Sequence, residues 1–371
     1  MKVLIFAAYY YPHTGGYEKN VHELGKRLVQ KGHEVYVLTC NTGSASIGEV
    51  KDGVGIWRVP SWNLLGGTFP IPKPSKELVT FLRRMGFDVV VTQTRFFITS
   101  LLGMVFAKAK KIPLIHVERG TCHSVVPNRL VSLIAKTYDH TFGRMVVKAA
   151  RVNVGVSKAA CDFVGHLGGN RTEVIYNGIG TGVDRHPHDT ITITFVGRLI
   201  YAKGVQDLME AFADSWKLHS KIKLFIVGDG NYRQELEILA GKLRCCGSIK
   251  FLGEKSSKGV MDTLGVTDIF VNPSYSEGLP TSVMEAASVG LPIVATDVGG
   301  TREVIRNGVS GIIVKPHKPF QMHRAIEWLL SNPVEAKTMG LAAKVGMNHK
   351  FDWNKITDQY EKLLKEAMNA R

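Results

Sequence analysis

Two carboxylates, Glu277 and Glu285, stand eight positions apart in the stretch SYSEGLPTSVMEA. The preceding DIFVNPS reads as a strand, so YSEG is the loop at its carboxyl end and Pro280 suits the first turn of the helix that follows. Eight helical steps span roughly 12 Å. Helical side chains lean toward the amino terminus, which brings Glu285 back toward the strand ends. That separation is of the order of the distance between a nucleotide's ribose and the sugar beyond its diphosphate. Glu285 would then accept hydrogen bonds from ribose hydroxyls and Glu277 from hydroxyls of the sugar. Backbone amides along Gly278, Leu279, Pro280 and Thr281 would face the phosphates. The plainer alternative makes Glu285 a helix-face acid and Glu277 an acid at a helix amino terminus.

Cations occur where such a ligand would need them. The strand ITITFVG is followed by RLIYAKG, which places Arg198 and Lys203 at a strand's carboxyl end just before a helix. There, side-chain charge and helix dipole act together on an anion. The first strand ends in YYPHTGGYEKN, and Gly15 and Gly16 let backbone approach a ligand at a helix start. LFIVGDG and IKFLG each end a buried strand in glycine, so main chain around Gly228 and Gly253 would line a flat pocket for a base. Taken singly, each of these also reads as an ordinary turn or a solvated loop.

These groups need a scaffold, and the chain repeats one. KVLIFAAY, EVYVLTC, DVVVTQ, PLIHVE, RVNVGVS and EVIYN are short apolar strands alternating with helical stretches such as YEKNVHELGKRLVQK, where Tyr17, Val21, Leu24 and Leu28 share a face. After NGIGTGVDRHPHDT the rhythm restarts with ITITFVG, KLFIVG, IKFLG, DIFVNP and PIVATD. The fold class is therefore α/β: two Rossmann-like doubly wound domains facing a cleft. Expected boundaries are 1–180 for the first domain and 181–350 for the second. Residues 178–190 form the linker, and an amphipathic helix over 351–371 packs back toward the first domain. Its stripe is Trp353, Ile356, Tyr360, Leu363 and Leu364.

The 371 residues are 44% hydrophobic and 21% charged, an ordinary globular composition. The longest apolar run, FFITSLLGMVFA, is too short to span a bilayer and reads as a buried helix. No signal-peptide pattern opens the chain, and five cysteines without metal-ligand spacing fit a reducing, cytoplasmic setting. Charge is uneven: residues 1–180 carry 23 basic against 11 acidic side chains, and 181–371 carry 24 against 21. The basic half suggests an acidic partner. An anionic membrane surface fits, because KELVTFLRRMGF and RLVSLIAKTYDHTFGRMVVKAAR mix cations and apolar residues as interfacial helices do. Core helices with snorkelling cations share that pattern. No aromatic-interleaved basic module points to nucleic acid.

Read together, FVGRLIYAKG, FIVGDGNYRQELE, FLGE and NPSYSEGLPTSVMEAASVGLPIVATDVGG, with the amino-terminal YPHTGGYEKN and the segment VSKAACDFV…VIYNGI, resemble family 4 of the retaining glycosyltransferases across nearly the whole chain. The resemblance implies the GT-B fold, with 1–180 as the acceptor-binding domain and 181–350 as the nucleotide-sugar-binding domain, and transfer of a sugar from a nucleotide-diphosphate donor to an acceptor hydroxyl with retention. It implies that Arg198 and Lys203 hold the diphosphate and that Gly15 and Gly16 close over it. Glu285 would bind ribose, and Glu277 would sit at the transferred sugar. No metal or cofactor is expected, which fits the lack of an Asp-x-Asp motif. The leaving diphosphate would help deprotonate the acceptor.

One position departs. Many relatives carry His-Gly where this chain reads PLIHVERGTCH, so Arg119 precedes Gly120, with His116 and His123 nearby. The expected catalytic residues are Glu277, Arg119 and His116; Arg119, or His123 from the loop, would fill the role of the missing histidine, and His116 also reads as a satisfied strand histidine. The departure keeps open a nucleotide-sugar-binding protein with lost or altered transfer, and a GT-B epimerase is another alternative. The acceptor, read as lipid-linked or a cell-surface glycan precursor, would place the protein at the cytoplasmic face of a membrane.

Overall fold

The computed structural model describes residues 1–369 apart from 14, 44, 65–68 and 187–188, so part of the linker expected at 178–190 lies outside the described residues. The chain forms two compact units. One comprises Met1–Ser124, Leu130–Gly178 and Trp353–Arg371; the other comprises Val125–Arg129 and Ile179–Asp352.

The first unit contains strands β1 (Lys2–Ala7), β2 (Glu34–Asn41), β3 (Gly48–Lys51), β4 (Val54–Leu64), β5 (Phe69–Pro72), β6 (Val89–Gln93), β7 (Leu114–Glu118), β8 (Val152–Gly155) and β9 (Thr172–Val174). Its helices are α1 (Gly16–Gln30), α2 (Lys76–Arg84), α3 (Ile98–Lys110), α4 (Arg129–Tyr138), α5 (Arg144–Ala149) and α6 (Lys158–His166). The sheet order is β3-β4-β2-β1-β6-β7-β8-β9, with β5 on β4. β3 and β5 pair antiparallel to β4, and the other pairings are parallel. Val3, Leu4, Ile5 and Phe6 of β1 are all buried, as befits a central parallel strand covered on both faces. The order reverses between β2 and β6, on either side of β1, and open α/β sheets form a ligand crevice at the carboxyl ends of strands at such a switch.

The second unit repeats the plan. Its strands are β10 (Thr192–Val196), β11 (Lys223–Val227), β12 (Ile249–Gly253), β13 (Ile269–Asn272), β14 (Ile293–Thr296) and β15 (Ile312–Val314). They alternate with α7 (Val205–Leu218), α8 (Arg233–Lys242), α9 (Ser257–Gly265), α10 (Thr281–Val289), α11 (Thr301–Val304), α12 (Pro319–Ser331) and α13 (Pro333–Lys350). The order β12-β11-β10-β13-β14-β15 is parallel throughout and switches at β10. Phe195, Phe212, Leu224, Ile226 and Val271 anchor its core.

α14 (Trp353–Asn369) belongs to the first unit and packs on α1. Its stripe of Trp353, Ile356, Tyr360, Leu363 and Leu364 is buried, and Arg27 lies over the Trp353 ring at 4.6 Å. On its outer edge Glu361 pairs with Lys31 at 2.9 Å and His33 at 3.1 Å.

The two helices read as interfacial differ. α2 turns Leu78, Phe81 and Leu82 into the core with Phe87 and Trp57, so its apolar face is occupied. The α4–α5 stretch instead leaves Leu130, Val131, Leu133, Ile134, Phe142 and Met145 exposed, with Leu130 at 66% and Ile134 at 61%. Among the described residues, no helix is long and apolar enough to cross a membrane.

Candidate active site

In the second unit, the loops after β10 and β13 meet at the switch point. Lys203 lies at the end of the first and Glu277 in the second. Lys203 Nζ donates to Glu277 Oε1 at 2.6 Å. The same oxygen accepts from Ser274 Oγ at 2.7 Å and Asn272 Nδ2 at 3.4 Å, and Ser274 Oγ also reaches Asn272 Oδ1 at 2.9 Å. Glu277 is thus fixed by three donors at the end of a buried strand, with its side chain 9% exposed. An ionised carboxylate only accepts hydrogen bonds, which suits contact with hydroxyls.

Glycines let the loops approach. Gly204 adopts φ +63°, and a Cβ there would fall 2.1 Å from the Pro273 carbonyl oxygen; beside it the Tyr275 amide donates to Ala202 O at 2.8 Å. From β14 comes Gly299, at φ +52°, where a Cβ would lie 1.9 Å from the Glu277 carbonyl oxygen. The Gly300 amide donates to Gly278 O at 2.9 Å, so this turn sets the path of the Glu277–Gly278 backbone. Tyr275, beside the site, donates to Asp207 Oδ1 at 2.7 Å, accepts from Gln206 Nε2 at 2.8 Å and stacks on His317 with centroids 3.7 Å apart. Burial and the neighbouring Asp207 push its phenol well above the ordinary range, so it stays protonated.

α10 begins at Thr281, with Pro280 as the residue before it rather than in its first turn. The difference is one residue, and it leaves Thr281 and Glu285 one turn apart on the same face. Val283, Met284, Ala286 and Ala287 are fully buried while Glu285 is half-buried, so Glu285 stands on the face away from the core. Leu279 and Pro280 are buried, and Gly278 and Thr281 are half-buried. Arg198 is exposed on the loop after β10. Gly228 donates its amide to Gly253 O at 2.8 Å, joining the ends of β11 and β12.

In the first unit the sequence candidates meet around the ends of β6 and β7. Gly15 caps α1 and Gly16 begins it. The Arg119 guanidinium lies over Tyr17 of that helix at 5.2 Å. Arg119 Nε donates to Gln93 Oε1 at 3.2 Å and an amino nitrogen to Asn177 Oδ1 at 2.8 Å. The Gly15–Gly16 turn and Arg119 are therefore neighbours.

His116 is not where a substrate-contacting residue must be. It is fully buried, with Nδ1 at 3.0 Å from Thr92 Oγ1 and Nε2 at 3.3 Å from Glu118 Oε2. Both ring nitrogens are engaged inside a central strand, so His116 supports Glu118 and the catalytic expectation for it is withdrawn. His123 faces Asp139, its Nδ1 at 2.7 Å from Oδ2.

Sequence reasoning missed the group beneath these residues. Arg95 Nε and an amino nitrogen donate to the two oxygens of Asp139, each at 3.0 Å, and the other amino nitrogen lies 3.0 Å from Glu118 Oε1. Burial works against ionising Glu118, but the Arg95 charge, the His116 hydrogen bond and the Gly120 amide outweigh it and hold the carboxyl well below its usual range. Glu118 Oε1 also accepts the amides of Arg119 at 2.8 Å and Gly120 at 2.6 Å. The buried carboxylate therefore shapes the turn that carries Arg119.

Family models match both halves of the chain: "Glycosyltransferase Family 4" over residues 14–182 and "Glycosyl transferases group 1" over 182–345. An uncharacterized glycosyltransferase of Methanocaldococcus jannaschii is 31% identical, with 100% of this chain and 99% of that one aligned. One subunit of the phosphatidylinositol N-acetylglucosaminyltransferase of Arabidopsis thaliana is 26% identical over 100% of this chain and 83% of its own. Among solved structures, Anabaena HepE in complex with UDP-glucose superposes with a TM-score of 0.78 at 18% identity, covering 99% of this chain and 100% of the other. Two doubly wound sheets and a full-length relative of that identity lead to one assignment: the chain belongs to glycosyltransferase family 4, a hexosyltransferase-type enzyme of GT-B fold.

Proposed function

We propose that this enzyme moves a sugar, with retention and without a metal, from a nucleotide-diphosphate donor held by the second unit to a hydroxyl of an acceptor presented at a membrane surface. The observation that carries the donor reading is the Lys203–Glu277 pair at the β10 switch point, with Arg198 exposed on the same loop. Lys203, Arg198 and the amino terminus of α10 offer positive potential to a diphosphate. Glu285, on the accessible face of α10, suits ribose hydroxyls, and Glu277, held in one orientation, suits hydroxyls of the sugar. Gly228 lies where main chain alone would meet a base. In the first unit, the Gly15–Gly16 turn offers amides and Arg119 a guanidinium to phosphate or hydroxyl oxygens. The relative solved with UDP-glucose supports a nucleotide-sugar donor. The leaving diphosphate, stabilised by the cations, takes the acceptor proton.

The test is stereochemical. A panel of nucleotide sugars is supplied with chelator and candidate acceptors, and the product anomer is followed by NMR. Retention of the donor's configuration supports the reading, and inversion, or a strict need for added metal, contradicts it.

The membrane reading rests on the exposed apolar face of α4–α5, bordered by Arg129, Lys136, Arg144 and Lys148. Apolar residues flanked by cations bind anionic interfaces. The relative named for phosphatidylinositol is consistent with a lipid-linked acceptor. Co-sedimentation with phosphatidylserine vesicles at low salt is expected, and an Ile134→Asp, Leu133→Asp variant should stay in the supernatant. Equal sedimentation of that variant contradicts this face as the contact.

A further inference from the structure

Three histidines from separate elements of the first unit converge at one place. His123 comes from the loop after β7, and His140 from a π-helical turn, Asp139–Gly143, that joins α4 to α5. His166 is the last residue of α6. One nitrogen from each ring lies within 4.8 Å of the others. The ring centroids are 5.1 Å apart for His123–His140, 5.5 Å for His140–His166 and 6.1 Å for His123–His166.

We propose that His123, His140 and His166 form a binding site for a borderline divalent metal ion of the zinc class. Imidazole is a preferred ligand for such ions, and three histidines with one open position make a recognised zinc set. A tetrahedral ion with Zn–N bonds of about 2.0–2.1 Å would bring the nitrogens to about 3.4 Å of one another, a closure of little more than an ångström by ring rotation.

The surroundings support a cation rather than a chance cluster. Metal-bound histidines usually donate their other ring nitrogen to a carboxylate that fixes tautomer and orientation. His123 Nδ1 has such a partner in Asp139 Oδ2 at 2.7 Å, which leaves Nε2 for the ion. Asp139 is itself fully buried, and both of its oxygens are held by one edge of the Arg95 guanidinium, Nε and an amino nitrogen. With Glu118 as the second partner, one buried cation faces two buried carboxylates, so the layer beneath the histidines carries a net negative charge. His166 sits at the carboxyl terminus of α6, where the helix dipole favours positive charge. Phe163 packs edge-on against His123 at 5.1 Å and beside His166 at 6.0 Å, limiting the rings' freedom. Lys136, one turn before His140, is the opposing charge on that element, and it is exposed.

The ion would tie the loop that carries Arg119 and Gly120 to α6 and to the π turn. None of the three histidines is among the residues assigned to the donor diphosphate, so metal-independent transfer and this site stand or fall separately.

The experiment uses full-length protein without a histidine tag, dialysed against chelator and then freed of it. Zn²⁺ titrated by calorimetry should bind at one equivalent with a micromolar or tighter dissociation constant and raise the melting temperature. Co²⁺ should give the intense visible bands of a tetrahedral site. His166→Ala, at an exposed helix end, should weaken Zn²⁺ at least tenfold, and a His140→Ala, His166→Ala variant should abolish both the binding and the cobalt spectrum while circular dichroism stays unchanged. His166→Gln and His140→Gln serve if the alanine variants do not fold. Failure of the wild type to bind one equivalent, or unchanged affinity in the double variant, overturns the proposal.

Discussion

The sheets of the two units reverse at equivalent places, beside β1 and beside β10, yet charge is used differently at each. In the first unit the ion pairs lie under the crevice: Arg95, Glu118 and Asp139 are nearly or wholly buried and bind one another and the Arg119 turn. In the second, the pair lies in the crevice: Lys203 is 20% exposed and Glu277 9%, with Arg198 more open still. The same topology thus yields a rigid platform in one half and a set of groups within reach of a ligand in the other. A buried charge whose partner is removed is costly, whereas a partly exposed pair can be altered at little cost to folding. Substitutions should separate the two roles.

The largest effect is expected in the platform. Arg95→Ala leaves two buried carboxylates without their cation and should lower stability by about 3–5 kcal/mol. Denaturant unfolding measures it, and a loss below about 1 kcal/mol would mean the cluster is not the support described. In the second unit, Glu277→Gln keeps the shape and removes the charge. Turnover should fall by about 10²-fold or more, the scale seen when one preorganised electrostatic group is lost, while the melting temperature moves little. An equal fall in stability would return Glu277 to a structural role.

The smallest effect sharpens the comparison at the edge of the first unit. Hydrogen bonds from Lys365, Lys31 and His33 hold the Glu361 carboxyl down from its ordinary 4.5 to about 2. Because its folded value is depressed, its contribution to holding α14 on α1 is present above pH 4.5 and is lost as pH falls toward about 2. Protection against hydrogen exchange along α14, taken relative to the intrinsic rate at each pH, should therefore fall as pH drops through that window and hold steady between pH 5 and 8. Glu361→Gln should remove the dependence.

Much of this was readable in the sequence. Strand and helix alternation follows from short apolar runs and helical spacing; the Gly15–Gly16 turn, Arg198, Lys203 and Glu277 sit at element ends where local pattern locates them, and Glu285 lies one turn into the helix that follows. What escaped depends on distance along the chain. Arg95 meets Asp139 across 44 residues and Glu118 across 23, and neither spacing marks a motif. The antiparallel strands over 48–72 lie in a stretch broken by Gly and Pro, and β15 is only three residues long. His116 reads as a reactive residue because the sequence shows its neighbours but not its burial between Thr92 and Glu118. The same limit hides the three histidines, which share no spacing and meet only through the π turn.

The central claim is that the second unit's crevice binds a nucleotide diphosphate through Arg198 and its neighbours. Calorimetric titration with UDP, GDP, ADP and their sugars, with chelator present, tests it most directly. One nucleotide should bind, and Arg198→Ala should weaken it by about 10–100-fold, the loss of one charge-assisted hydrogen bond of about 1.5–3 kcal/mol, with the unfolding midpoint unchanged. If no nucleotide binds without metal, or Arg198→Ala binds as tightly as wild type, the donor site is not the one described.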